Sequence, residues 1–436
     1  MSDVYSCRLR RGPDGRIAEK IETVQGHDRR WAYSYDARGR LTEARLDQRL
    51  ICQCHYDRDG RRQRDYFPAS HGFSTRDYRY TPDDRLLAAG NNGYVHDANG
   101  FRSIWNSEGR YTLYAYAPDY RLLRVEKPDD GLVFEFAHDG DGRRAVKFRD
   151  GRPVEAYRWL DFLRLAGFRD VGCWYEFAYA RGERTPLAMR RDDGAVFRLH
   201  CDQIGSLRVV ADSDGHVLKE VLYDPFGGII EDSAPDLRIP IGFAGGLHDR
   251  DLGFVRFGWR DYDTFTGRWT APDPLGDAGG DPDWYGYCLD DPVNGVDPLG
   301  LEGGFWDGLK KIGAGFGKLW DTAPAGIGEA MSKGADGAGE AIGKTVDAFK
   351  TNEDLQKYTA ITLAAGALPI AAAGAAQAAP AVMTTAMRHP DKVAAATDFV
   401  SGFFDPGPPP LTKAGVLGTY AKDELGKAKD KWRKRK

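Results

Sequence analysis

The chain has 436 residues, of which 42% are apolar, 12% aromatic and 29% charged, with a formal net charge of -4. That length allows two to four domains and a sizeable core, and the mild negative charge argues against general nucleic-acid binding by the whole chain. The charge is unevenly spread: residues 302–436 hold 18 Lys and Arg against 15 Asp and Glu, leaving 43 against 50 before them, so the tail carries +3 and the body -7.

The N-terminal segment "MSDVYSCRLRRGPDGRIAEK" is charged and has no apolar run, so no Sec signal peptide is expected. From there to about residue 150 one pattern recurs: an aromatic-rich alternating strand, a turn holding Asp and Gly, an Arg, and a second short strand. It stands as "YSYDARGRLTEARL" (33–46), "CHYDRDGRRQRDY" (54–66), "YRYTPDDRLLAAG" (78–90), "YVHDANGFRSIW" (94–105), "YAYAPDYRLLRVE" (114–126) and "FEFAHDGDGRRAVKF" (134–148). Alternation such as Tyr33 with Tyr35, or Phe134 with Phe136, puts aromatics on one face of a strand. In Asp-x-x-Gly the Asp bonds its own backbone and the Gly takes positive φ. Asp36, Asp57, Asp97, Asp119 and Asp139 recur about every 20 residues, the mark of a stacked or spiralling architecture. A lone hairpin cannot bury its apolar face, so the expectation is an extended antiparallel sheet in which these Tyr, Asp and Arg residues are scaffold. The six cysteines all precede residue 302 and lack metal-site spacing, so they read as reduced core thiols.

Residues 200–301 carry a denser block: "HCDQIGSLRVVADSDGHVLKEVLYDPFGG" (200–228), "GFAGGLHDRDLGFVRFGWRDYDTFTGRW" (242–269) and "APDPLGDAGGDPDWYGYCLDDPVNGVDPLGL" (271–301). Together with the Tyr-Asp hairpins it resembles the YD-repeat proteins of the rearrangement hot spot (Rhs) family, whose repeats also occur in toxin-complex C subunits and teneurins. The resemblance covers roughly residues 1–301 and is most specific in the last hundred. Phe254 stands where the family often has Tyr, and Asp290 where it often has Asn. It implies a mainly β fold of YD hairpins forming a curved or spiralling sheet, a partial shell, divided as repeats over 1–199 and an Rhs-associated core over 200–301. At about 300 residues, this body is short for a closed hollow shell.

The resemblance also implies self-cleavage. Pro292, Asp297, Pro298, Gly300 and Leu301 match the family's cleavage motif, which puts the expected scissile bond between Leu301 and Glu302. The family's aspartyl-protease-like pair maps onto Asp273 and Asp297, with Arg260 beside them. Two carboxylates at one site do not readily both ionise: one stays protonated and donates to the scissile carbonyl while the other activates water. Arg260 would anchor one carboxylate in its charged state. By residue chemistry alone, both aspartates read first as caps of Asp-Pro turns, of which the chain has others at 224, 281, 291 and 405, and the ordered block of motifs is what favours self-cleavage.

Residues 302–436 have no Cys and a single His, His389, while Ser332 and Ser401 have no evident His partner, so no nucleophile-and-base arrangement is visible. Phe305, Leu309, Ile312, Phe316 and Leu319 follow helical spacing with Trp306, Trp320 and lysines beside them, which suits a bilayer interface. Residues 358–387 are thirty in a row without a charged side chain, more than the ~20 needed to span a bilayer. Pro369 and Pro380 interrupt that run, and a buried helical hairpin in a soluble domain is the competing reading.

The expected function is an Rhs-type interbacterial toxin that cuts itself after Leu301 and releases a helical, membrane-permeabilising tail. A soluble nuclease or nucleotide-degrading tail, or a non-toxic orphan fragment, are the alternatives. Partners implied are a cognate immunity protein, plausibly in the membrane, a type VI secretion spike or other delivery component, and the target-cell membrane; no specific nucleic acid, cofactor or metal is called for. Synthesis in the bacterial cytoplasm with export by a non-Sec route follows from the same resemblance.

Overall fold

The computed structural model describes residues 4–72, 74–170 and 172–301. The helical and membrane readings of residues 302–436 lie outside the described residues, among which no helix is long and apolar enough to cross a membrane. Twenty-two strands, from Tyr5–Arg11 to Ile229–Asp232, form one sheet. Each pairs antiparallel with the next in sequence, so the sheet is a continuous meander.

The turn chemistry explains the meander. In the turn after strand His27–Tyr35, Asp36 Oδ1 accepts from the amides of Arg38 (2.9 Å) and Arg40 (3.0 Å), and Oδ2 accepts from Arg40 Nε at 2.8 Å. Gly39 holds φ +85° there, a conformation open to Gly. Asp57 with Arg61 and Asp139 with Arg143 repeat the arrangement. Asp97 accepts from the amides of Asn99 and Phe101 in the same way. Asp119 differs. Its turn opens at Ala117, whose amide donates to the Arg121 carbonyl at 2.8 Å, while the Asp119 side chain binds Arg121. In the unit at 78–90, Thr81 takes the capping place.

The tyrosine before three of these turns does a second job. Tyr35, Tyr56 and Tyr80 donate their hydroxyls to the carbonyls of Ile17 (2.8 Å), Leu41 (2.7 Å) and Arg62 (2.7 Å), one hairpin back. The arginine of one turn lies over the next tyrosine, as Arg40 does over Tyr56 at 4.2 Å. These three hairpins are thus stitched to the ones before them, side chain to backbone.

The sheet curves until its first strands meet its last: Arg29 pairs with Glu231 at 2.9 Å, and buried Glu22 accepts from Arg208 Nε at 2.8 Å. No backbone ladder joins the two edges, so the sheet does not close. Within the curve sits the block after residue 242, with four short strands between Leu247 and Trp269. Its Leu247 packs with Tyr157, Phe168 and Val210, and its Leu252 and Phe254 with Tyr114 and Phe134. An aromatic centre of Phe243, Phe257, Tyr262, Trp269 and Tyr287 holds the block itself together.

Candidate functional site

Arg260 opens the strand Arg260–Asp263 of the central block, with its guanidinium 4.3 Å over the Trp269 ring. Stacking fixes the plane, and hydrogen bonds fill its edge. Nε donates to the Gly300 carbonyl at 2.6 Å and Nη1 to the Trp284 carbonyl at 3.0 Å. Nη2 serves both carboxylates, Asp273 Oδ2 at 2.7 Å and Asp297 Oδ2 at 3.4 Å. The three side chains are buried, Asp297 to 1% exposure and Arg260 to 2%. One guanidinium nitrogen therefore bridges two aspartates that lie 24 residues apart in sequence.

Each aspartate is locked by its own turn. Asp273 Oδ1 accepts from the amide of Leu275 at 2.8 Å, and the Asp273 amide donates to the Trp284 carbonyl at 2.8 Å. Asp297 Oδ1 accepts from the amide of Leu301 at 3.0 Å, across Pro298, Leu299 and Gly300. Both are thus turn caps as well as neighbours of Arg260. Burial pushes the Asp273 carboxyl above the usual carboxylate range, against the pull of Arg260.

The segment 297–301 reaches Arg260 by a crossing of two glycines. A side chain at Gly300, at φ +67°, would meet the Phe257 carbonyl oxygen at 2.6 Å, and one at Gly258, at φ +44°, the Leu299 carbonyl oxygen at 2.4 Å. The Trp259 amide donates to that same Leu299 carbonyl at 2.9 Å. Leu301 is buried at 6% exposure, while Pro298 and Pro292 are also buried. Pro292 lies away from the aspartates, beside Lys20, Glu22 and Arg208. Glu302 lies outside the described residues. Sequence reasoning missed Gly258, Trp269 and Trp284. Gly258 stands two residues before Arg260, but nothing in "FGWRDYD" indicates that it crosses a strand forty residues on.

Among the described residues, one group of acidic and His side chains has metal-like proximity, the exposed turn Asp212, Asp214 and His216. Within it Asp212 Oδ1 accepts from the amides of Asp214 and His216, and Asp212 Oδ2 lies 2.9 Å from His216 Nδ1. Cys52 and Cys54 are buried and the six thiols are free.

The stitched hairpins, capped turns and enclosed terminal block define a hairpin-repeat shell protein. The Teneurin YD-shell family model matches residues 2–278, and the chain belongs to that family of YD-repeat, Rhs-type shell proteins. Teneurin-1 of Gallus gallus is 30% identical over 283 residues, 62% of this chain and 10% of that protein. The tRNA3(Ser)-specific nuclease WapA of Bacillus spizizenii is 25% identical over 224 residues, 50% of this chain and 9% of that one. A solved TcdB2-TccC3-TEV structure aligns over 68% of this chain and 18% of its own, with 14% identity and a TM-score of 0.42. The chain spans about a tenth of the length of the curated relatives it matches.

Proposed function

We propose that this is an Rhs-type toxin shell that cuts its own chain after Leu301, with Asp273 and Asp297 as the acid and base pair and Arg260 as their anchor. The observation that carries the reading is the shared Arg260 Nη2, which gathers both carboxylates beside the backbone of Gly300 and Leu301. Arg260 can offset the charge of one buried carboxylate, and burial favours a proton on the other. The ionised member removes a proton from water, whose oxygen attacks the Leu301 carbonyl carbon. The protonated member gives its proton to the carbonyl oxygen. Collapse of the tetrahedral intermediate breaks the bond to the Glu302 nitrogen, which leaves as the amine after taking a proton. The products are a Leu301 carboxylate and a new N-terminus at Glu302.

The released residues 302–436 act, in this reading, at a target-cell membrane, supported by the thirty-residue uncharged run and the aromatic, lysine-flanked helix pattern. Delivery by a type VI spike or similar component, and neutralisation by a cognate immunity protein, complete it. A second reading makes the tail a nuclease; the name of the WapA relative favours it, although that match reaches only half of this chain.

Intact mass spectrometry of the wild-type chain beside Asp273→Asn and Asp297→Asn tests the first part. Fragments 1–301 and 302–436 in wild type and their loss in both variants are expected; an uncut wild-type chain sinks it. Dye release from liposomes, set against degradation of tRNA, then separates the two tails.

A further inference from the structure

Beside the segment 297–301 a cleft open to solvent is lined by Arg143, Arg144, Arg184 and Arg256, with Trp159 and Pro298 among its other walls. No carboxylate lines it. Four guanidinium groups facing one space raise the question of what balances them.

The partners do not suffice. Arg143 is satisfied by Asp139 at 2.7 Å and Asp141 at 2.8 Å. Arg184 has carbonyl partners, Ala244 at 2.6 Å and Ile204 at 2.8 Å, and makes no ion pair with any described carboxylate. Arg256 donates to the Tyr120 carbonyl at 2.8 Å and to Asp261 at 3.2 Å. Asp261 also lies 3.6 Å from Arg144, whose other carboxylate, Asp249 at 3.1 Å, is taken at 2.6 Å by Lys147. Arg144 is 4% exposed, yet its Nε has no hydrogen-bond partner. Arg144, Arg256 and Lys147 thus share Asp249, Asp261 and Asp251, Asp251 is itself held by Arg238, and Arg184 has carbonyl oxygens alone.

We propose that this cleft is a binding site for a small oxyanion, a phosphate or a carboxylate, held by Arg184 and Arg256 with Arg144 behind them. A planar fork of N–H donors suits the oxygens of either group, and an anion there would discharge guanidinium groups that the fold leaves incompletely paired. Burial lowers the guanidinium pKa of both Arg184 and Arg256, as expected of cations whose desolvation is not fully offset. The site adjoins Pro298, one residue past Asp297, but the inference does not rest on self-cleavage.

The test is thermal unfolding of the full chain in inorganic phosphate, and separately in acetate, each against chloride at equal ionic strength. A ligand that binds only the folded protein raises the midpoint with concentration. A rise with either anion supports the site, and the anion that produces it names the source. The rise should vanish in Arg184→Gln. Because that variant also loses two carbonyl contacts, Leu163→Glu, which brings a tethered carboxylate to the cleft wall, gives an independent check: its midpoint without added anion should be no lower than wild type and unresponsive to phosphate. A wild-type midpoint indifferent to both anions, or the same rise in both variants, would overturn the site and leave it holding water.

Discussion

The repeat turns and the central block are both built on Asp–Arg pairs, yet they place those pairs in opposite surroundings. Asp36 with Arg40 sits at the rim of the sheet, with side chains 24% and 14% exposed, and the same device recurs at Asp57 and Asp139. Arg102 with Asp263 joins the sheet to the block across 161 residues, at 2.7 Å and with side chains 2% and 7% exposed. Lys147 with Asp249, and Arg62 with Asp290, do likewise. The rim pairs shape local turns, and water supports each partner if the other is lost. The inner pairs are withdrawn from water, so a lost partner leaves its mate buried with only the polar groups already around it to offset the charge. Redundancy belongs to the repeat, and uniqueness to its join with the block.

Breaking an inner pair should have the largest effect. Arg102→Ala strands Asp263 and is expected to cost about 3–5 kcal/mol, read by urea unfolding of the body. Gly258→Ala comes next: a methyl group against the Leu299 carbonyl in a left-handed conformation should cost about 1–3 kcal/mol and displace the segment 297–301. Its cleavage should slow beyond what the stability loss explains, seen by mass spectrometry at a temperature where the variant remains folded. Arg260→Lys keeps the charge but lacks the fork that reaches Gly300, Trp284 and both aspartates, so cleavage should fall by at least about tenfold while the body stays folded.

A pH comparison sharpens the contrast further. Asp224 occupies a turn-capping place like Asp36, but Gly228 stands where the arginine would be, and Ser70 and His71 from a distant loop approach instead. Burial raises its carboxyl to about 6 from 3.8. The folded state therefore holds this proton more tightly than the unfolded chain, so the contribution is present below pH 3.8 and is lost as pH rises through 6. Relative to Asp224→Asn, wild type should lose on the order of 3 kcal/mol between pH 4 and pH 7, measured by denaturant titration of both proteins. The smallest effect belongs to the rim: Arg40→Gln should cost about 0–1 kcal/mol.

The strands, the turn caps and their order were legible in the sequence, because alternation and Asp-x-x-Gly act over a few residues. The same local logic misassigned Asp119, where Ala117 opens the turn on backbone bonds alone and leaves no side-chain signal. For the candidate site, the identities Arg260, Asp273, Asp297 and Leu301 came from a resemblance of motifs, and the structure places them together. The crossing at Gly258, the ring of Trp269 and the carbonyl of Trp284 had no sequence signature, since a backbone carbonyl or a close approach has none.

By itself, then, the sequence determined a run of antiparallel hairpins, most of whose turns are capped by their own Asp. Only the tertiary structure decided that the first and last strands meet through side chains, that the terminal block occupies the curve, and that one guanidinium nitrogen serves two aspartates. The division is physical: turn chemistry is satisfied within five residues, whereas a buried charge is satisfied only by whatever partner the folded chain brings to it.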